Sequence, residues 1–320
     1  MSKIIFKLDD TSDLPGLARA ALGIHLKKVL AGTGVVRVPK LNGLMKTISG
    51  MHFHPMPELF VQLAGINAFE CPRERFNLRS GEICVMPRGM PHGETFKLVR
   101  GQFGMLVFMY NARELNFLLS TGSPGKYPRA VKSMSINHPR VLRMAEYLED
   151  IAHVLHAGGR NTREIVRGLL AAHLAEILNI MATDMGPRRD EPYKITQVKQ
   201  LVVARLGDPE LGVRKLAEWI KCSPDYLSSL FHKWTGNTLI DTINRYRLSQ
   251  AQYLLQNSSK NVKEIAAAAG FADPAYFGRL FRNATGQTPT TYRRKINAGP
   301  FGLYEKTGQR LLQASANFFK

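Results

Sequence analysis

Two stretches of this chain repeat one another at an offset of 50 residues, and that repeat limits the fold more than any other feature. In the second copy, Val262–Pro289 reads VKEIAAAAGFADPAYFGRLFRNATGQTP. Val262, Ile265, Ala266 and Ala269 recur at helical spacing and stop at Gly270, a residue suited to the position just past a helix end. Asp273-Pro274 then supplies an N-cap acceptor and a proline for the first turn of a second helix. Phe277, Leu280 and Phe281 form its apolar stripe, whereas Ala275, Gly278, Arg279 and Arg282 form an opposite stripe with no large apolar group. The first copy repeats the plan: Leu216, Ala217 and Ile220 lead through Ser223-Pro224 to the stripe Leu227, Leu230 and Phe231. Its free face holds Asp225, Ser228, Ser229 and His232, followed by Lys233. Phe231 corresponds to Phe281, Gly236 to Gly286 and Ser229 to Arg279, while Leu216 to Ile265 is 49, so the second turn is one residue longer.

A helix-turn-helix that reads a duplex needs one helix face free for the major groove, and both copies provide it. Residues 195–295, through LAEWIKCSPDYLSSLFHKWTG, RYRLSQAQYLL and EIAAAAGFADPAYFGRLFRNATGQTPTTYRR, resemble the AraC-type DNA-binding domain. That resemblance implies two helix-turn-helix units joined by one long helix, here Thr238–Gln256, of about 28 Å at 1.5 Å per residue. Such a rod suits two reading helices near one duplex turn, ~34 Å, apart. Gly278 departs from a good helix former inside the second reading helix, at a cost of ~1 kcal/mol relative to alanine. Arg279 is the candidate for a bidentate guanine contact; Asp225, Ser228, Ser229, His232, Ala275 and Gly278 share its face. Lys233, Arg245, Arg247, Arg282, Arg293 and Arg294 are the candidates for phosphates.

The net charge of +19 favours a polyanionic partner. Residues 191–295 carry 16 Lys and Arg against 8 Asp and Glu, so charge is denser in the repeat region without being confined to it. The opening MSKIIFKLDD bears acids where a secretory leader needs an apolar run, and no apolar run approaches the ~20 residues of a membrane span. Cys71, Cys84 and Cys222 lack metal-like spacing and fit a reducing cytoplasm.

The N-terminal half has a different texture. LPGLARAALGIHLKKVLAG reads as a helix; then VVRVPK, ELFVQLAG, NAFEC, EICVMP, ETFKLV and FGMLVFMY read as short strands between Gly, Pro and Asn. Strands at that spacing predict a sandwich or small barrel. Within them His52, His54, Glu58 and Gly65 give H-x-H-x3-E-x6-G, and Gly81, Pro87, Gly89 and His92 give G-x5-P-x-G-x2-H. Both strings resemble the two cupin motifs, with Lys46 and Phe96 at places where those motifs carry glycine and asparagine. The resemblance implies a β-barrel in which His52, His54, Glu58 and His92 converge. Three readings stay open: a divalent metal site, a metal-free effector pocket, and histidines that only maintain the fold. Arg88, with Arg73, Arg75, Arg79 and Arg100, either favours an anionic group on an effector or belongs to a solvated strand face.

Residues 111–137, rich in Gly, Ser, Pro and Asn, read as loop. His138–His156 and Thr162–Met181 carry apolar stripes, the second with Thr162 as N-cap. The stripes pack on the barrel or meet a second copy, and the AraC-type resemblance favours a homodimer. His153, His156 and His173 on these helices are expected at the surface or its boundary.

The expectation is therefore an α+β multidomain chain: a cupin-like β-barrel over residues 1–137, two dimerisation helices over 138–184, a linker over 185–194, an all-α double helix-turn-helix domain over 195–295, and a tail over 296–320 with an amphipathic helix from about Glu305. Its implied role is a cytoplasmic transcription regulator and not an enzyme. The partners are double-stranded DNA, a small-molecule effector (a sugar or organic acid) held by His52, His54, Glu58, His92 and Arg88, and RNA polymerase; no cofactor is required. The alternative is a metal-dependent cupin enzyme or metal sensor, using His52, His54, Glu58 and His92, fused to DNA-binding helices.

Overall fold

The computed structural model describes residues 13–40, 51, 52, 54, 56–111, 114–123, 126–183 and 192–298; Lys46, most of the segment read as linker, and the tail beyond 298 lie outside them. The chain divides into two compact units, one within residues 13–183 and one within 192–298.

The first unit opens with α1 (Leu14–Leu30), whose N-cap Asp13 accepts a 2.8 Å hydrogen bond from Gly16 N and whose last turn carries Lys27 and Lys28 against the helix dipole. Nine strands follow: β1 (Val36–Arg37), β2 (Glu58–Ala64), β3 (Ile66–Cys71), β4 (Glu74–Arg79), β5 (Ile83–Met86), β6 (Gly93–Lys97), β7 (Phe103–Asn111), β8 (Glu114–Ser123) and β9 (Lys126–Asn137). They form a six-stranded sheet ordered β1-β5-β2-β7-β8-β9 and a three-stranded sheet ordered β4-β3-β6. All pairings are antiparallel except β1 with β5.

Strand alternation sorts the side chains of the large sheet. Leu59, Val61, Ile83, Val85, Leu106, Phe108, Leu115 and Phe117 share one core with α1 and with α2 (Val141–Ala157) and α3 (Thr162–Ala182). The intervening positions of β2 and β5, including Glu58, Phe60, Cys84 and Met86, fall on the other face, where Phe60 meets Phe69 of β3 edge-on at 5.0 Å. Gly65 makes the corner between the sheets at φ +75, and a Cβ there would lie 2.8 Å from Lys97 O and 2.9 Å from Gln102 O. Only glycine suits so close a crossing.

Two expectations for this unit need correction. Among the described residues there is no closed barrel, since no continuous ladder joins the two sheets. Residues 111–137 are not loop: β8 and β9 pair along their length, because Leu115, Phe117, Leu119, Met134 and Ile136 alternate inward and are buried. That period of two outweighs the Gly, Ser and Pro content.

Smaller revisions concern the helices. The N-cap of α3 is Asn161, and Thr162 Oγ1 donates to Gly159 O. His173 is fully buried; its Nδ1 lies 3.0 Å from Met144 O and its Nε2 2.8 Å from Tyr110 OH, tying α3 to α2 and β7. Burial holds its pKa at about 4, so the ring is neutral, with Nδ1–H donating to the carbonyl and Nε2 accepting from the phenol. The stripes of α2 and α3 (Leu148, Ile151, Leu170, Leu174, Ile177) are covered within the unit, while Leu155 and Ile165 are exposed. By length and composition alone α3 could cross a membrane; within this unit it packs against α1 and α2 and buries Leu170, Leu174, Ile177, Ile180 and Met181.

The second unit is all helix: α4 (Tyr193–Ala204), α5 (Val213–Trp219), α6 (Pro224–Thr235), α7 (Leu239–Asn257), α8 (Val262–Ala268), α9 (Pro274–Thr285) and α10 (Pro289–Ala298). α4 begins inside the stretch read as linker. Two small cores lie along α7. Leu239 and Ile243 join Ile195, Val198, Leu216, Leu227 and Phe231; Leu248, Ala251 and Leu255 join Ile265, Ala266, Phe271, Phe277 and Phe281. The caps are where the sequence puts them: Ser223 Oγ accepts from Tyr226 N, Asp273 Oδ1 accepts from Ala275 N, and Gly236 and Gly286 close their helices at φ 70 and 72.

Candidate nucleic-acid interface and buried histidine site

α5-α6 and α8-α9 are the two helix-turn-helix units. On α6 the buried Leu227 and Phe231 fix the helix's rotation, leaving Asp225, Ser228, Ser229, His232 and Lys233 exposed. On α9 the buried Phe277 and Phe281 do the same for exposed Ala275, Arg279 and Arg282 and half-buried Gly278. The Ser228 hydroxyl donates to Pro224 O at 2.9 Å, so part of its capacity is spent inside the helix.

Two residues missed in the sequence share these surfaces. Tyr226 and Tyr276 occupy the same place in each copy and are 50% and 40% exposed. Lys194 Nζ lies 5.3 Å from the Tyr226 ring centre, and the Arg279 guanidinium 6.0 Å from that of Tyr276, whose hydroxyl accepts from Asn244 Nδ2 at 3.3 Å. The 50-residue offset was the signal that would have found them.

The phosphate candidates divide. Lys233, Arg282 and Arg294 are exposed. Arg293 is half-buried and donates to Leu255 O, and Arg245 is half-buried as well. Arg247 is a correction: it is 7% exposed and donates to the carbonyls of Leu206 (3.3 Å) and Asp208 (2.6 Å). Its guanidinium also lies 5.7 Å from the Phe271 ring centre. This cation satisfies the α4–α5 connection and packs on the second copy's turn, so it is not available to a phosphate.

In the first unit the structure brings together the four residues that the spacing singled out. His52 and His92 form an antiparallel bridge, with His92 N donating to His52 O (2.8 Å) and His52 N to His92 O (3.1 Å). Gly89 N donates to His54 O at 2.7 Å, which holds the 87–92 turn against the first histidine segment. Nitrogens of His52, His54 and His92 lie within 4.8 Å of one another. Glu58, at the start of β2, places Oε1 3.3 Å from His54 Nδ1 and Oε2 3.7 Å from His92 Nε2. Burial, then His52 and His92, drive the His54 pKa well below the usual imidazole value; burial and His52 lower His92 to about 3 against the opposing pull of Met90 O. Burial, with Glu94, raises Glu58 well above the carboxylate range.

The donor chemistry fits a metal. His92 Nδ1 lies 2.9 Å from Met90 O and so carries the ring proton, leaving Nε2 as a lone pair. That lone pair and Glu58 Oε2 are both buried without a hydrogen-bond partner, and they face each other. Two acceptors in that arrangement are costly unless a proton or a cation lies between them. Three neutral imidazoles and a carboxylate suit a divalent first-row ion.

Arg88 turns to α2 instead, where its backbone N donates to Glu149 Oε1 (3.3 Å) and its Nε lies 3.9 Å from Oε2. Arg73, Arg75, Arg79 and Arg100 are exposed, as a solvated strand face would have them.

Comparison with known proteins adds to the geometry of the second unit. Residues 216–295 match the family model of a helix-turn-helix domain. The arabinose operon regulatory protein of Salmonella typhimurium is 24% identical over 170 residues, 52% of this chain and 60% of the relative. The transcriptional activator RhaR of Cronobacter sakazakii is 43% identical over 101 residues, 31% of this chain and 36% of its own length. Among solved structures, the DNA-binding domain of AdpA in complex with a target DNA is 28% identical, covering 33% of this chain and 94% of that one, with a TM-score of 0.32. The chain thus spans between about a third and three fifths of these curated relatives.

The second unit thus holds two helix-turn-helix units in succession, and its residues 216–295 are the part of the chain that matches the helix-turn-helix model.

Proposed function

We propose that this protein is a sequence-specific DNA-binding transcription regulator, not an enzyme, that works in the cytoplasm. Its two reading helices, α6 and α9, enter successive major grooves of double-stranded DNA, and a small-molecule effector at the histidine site of the first unit sets its activity. One observation carries the reading: two helices on matching apolar cores leave the corresponding face of each open to solvent, with unlike side chains on it. Asp225, Ser228, Ser229, His232, Ala275, Gly278 and Arg279 then meet base edges, while Lys233 and Arg282 meet phosphates. A homodimer doubles the contacts, and RNA polymerase is the partner at a promoter. The effector acts only if it binds two arrangements of the protein with different affinity. Selection of binding sites from random duplexes by the full-length protein should return one conserved sequence with two half-sites about one turn apart. Retention of duplexes without any common sequence would overturn the reading.

A second reading concerns the ion. The unpartnered Glu58 Oε2 and His92 Nε2 favour a divalent metal held by His52, His54, Glu58 and His92, through which an effector's oxygen donor would be anchored. The ion would supply a Lewis-acid contact point; the protein supplies neutral imidazoles and excludes water from their inner side. Metal analysis of the purified protein should give one ion per chain, and its loss in a Glu58→Gln His92→Ala double variant. An equal metal content in the two proteins would assign the ion to some other site.

A further inference from the structure

The histidine site holds a residue that neither motif contains. Glu94 lies two positions beyond His92, so the two side chains leave the same face of the strand, toward the large sheet. Glu94 Oε1 lies 4.0 Å from His92 Nε2, the same lone pair that faces Glu58 Oε2 at 3.7 Å. Its other oxygen, Oε2, accepts a 2.7 Å hydrogen bond from Asn67 Nδ2. Asn67 is 2% exposed on β3, and its amide also lies 3.4 Å from Met105 Sδ. A buried amide thus holds one oxygen of the carboxylate, while the other lies 4.0 Å from His92 Nε2. Among the described residues no lysine or arginine lies within ion-pair distance of Glu94. The Glu58 side chain is 3% exposed and that of Glu94 26%, so Glu94 stands at the open side of the cluster.

We infer that Glu94, positioned by Asn67, is a second carboxylate of this ion site, and that the ion it helps to hold is a hard divalent one, Mn2+ or Fe2+, not tetrahedral zinc. The inference rests on the metal reading above. Its chemistry is one of count and charge. Three imidazoles and two carboxylates exceed the four ligands of a structural zinc site, and carboxylate oxygen suits manganese and iron. Two carboxylates also balance the charge of one divalent ion. The site would therefore be close to neutral when filled, and an effector meeting it at the open side would need no charge of its own.

The test uses the full-length protein stripped of metal and titrated separately with Mn2+, Zn2+ and Co2+. Wild type should bind one Mn2+ per chain, and its Co2+ form should show the weak visible absorption of a five- or six-coordinate ion. Glu94→Gln, which keeps the shape, should weaken Mn2+ by about 10–100-fold while changing Zn2+ far less. Asn67→Ala should act in the same direction with a smaller loss. Matching metal-free melting curves would show that the fold is intact; should Glu94→Gln fail to fold, Glu94→Asp provides the same comparison. Unchanged Mn2+ affinity and Co2+ spectrum in the variants would overturn the role of Glu94. An intense tetrahedral Co2+ spectrum in wild type would overturn the donor count. Failure of wild type to bind any of the three ions would overturn the metal reading beneath it.

Discussion

The two helix-turn-helix copies share a core and differ at the turn and on the outer face. The first turn passes through Lys221 at φ 54, the second through Gly270 at φ 83. A Cβ on Gly270 would lie 2.2 Å from Leu206 O and 2.8 Å from Arg247 Nε, so the second turn abuts the junction between the copies. A side chain fits at the first turn, at the backbone cost of a left-handed residue. The exposed faces diverge further: serines and a histidine in one copy, alanine, glycine and two arginines in the other. Apolar spacing and caps preserve the template, and the free face is where the copies have separated in what they can recognise.

That contrast can be broken in four ways. The largest effect is expected in the shared part: Phe231→Ala and Phe281→Ala should each cost ~3–5 kcal/mol in urea unfolding. Strongly unequal losses would show that the two cores are not equivalent. Next, Gly270→Ala should cost about 3 kcal/mol, from crowding added to backbone strain. Gly236→Ala, with nothing within 4 Å of the new methyl group, should cost only about 1 kcal/mol. Similar losses at the two glycines would remove the distinction drawn here. On the outer face, Arg279→Ala should lose ~1–3 kcal/mol at one base position and relax preference there. Ser229→Ala should lose less, and the reverse ranking in a binding-site selection would exchange the roles of the two copies. The smallest change is at the first turn, where Lys221→Gly should stabilise the unit by about 1 kcal/mol. A loss of stability on removing that side chain would mean that Lys221 makes a contact that outweighs its strain.

The second unit was largely legible because helical periodicity, caps and repetition agree with one another. Ser223, Asp273, Gly236 and Gly286 each announce a boundary that the structure keeps. The first unit was legible in part. β2, β3, β5 and β7 follow from apolar runs, but β8 and β9 were hidden behind turn-forming residues until Leu115, Phe117 and Leu119 are read at a period of two. Barrel closure is a matter of long-range pairing, to which motif spacing is blind. Arg247 and His173 were misplaced for a common reason. A polar side chain reads as surface unless its buried partners are known, and here those partners are distant carbonyls and a tyrosine. His52, His54, Glu58 and His92 were found because the two strings that hold them resemble the cupin motifs. Glu94 was passed over inside ETFKLV, although its two-residue distance from His92 already put it on their side of the strand.

Arg247 also bears on the proposed binding of DNA. One guanidinium grips the loop before the first copy and rests on the turn of the second, with Gly270 leaving it room. The junction between the two copies is thus held from the protein's interior, by contacts that need no duplex. On the proposed function, operators whose half-sites are set a base pair too near or too far would then have to bend or twist to meet both helices.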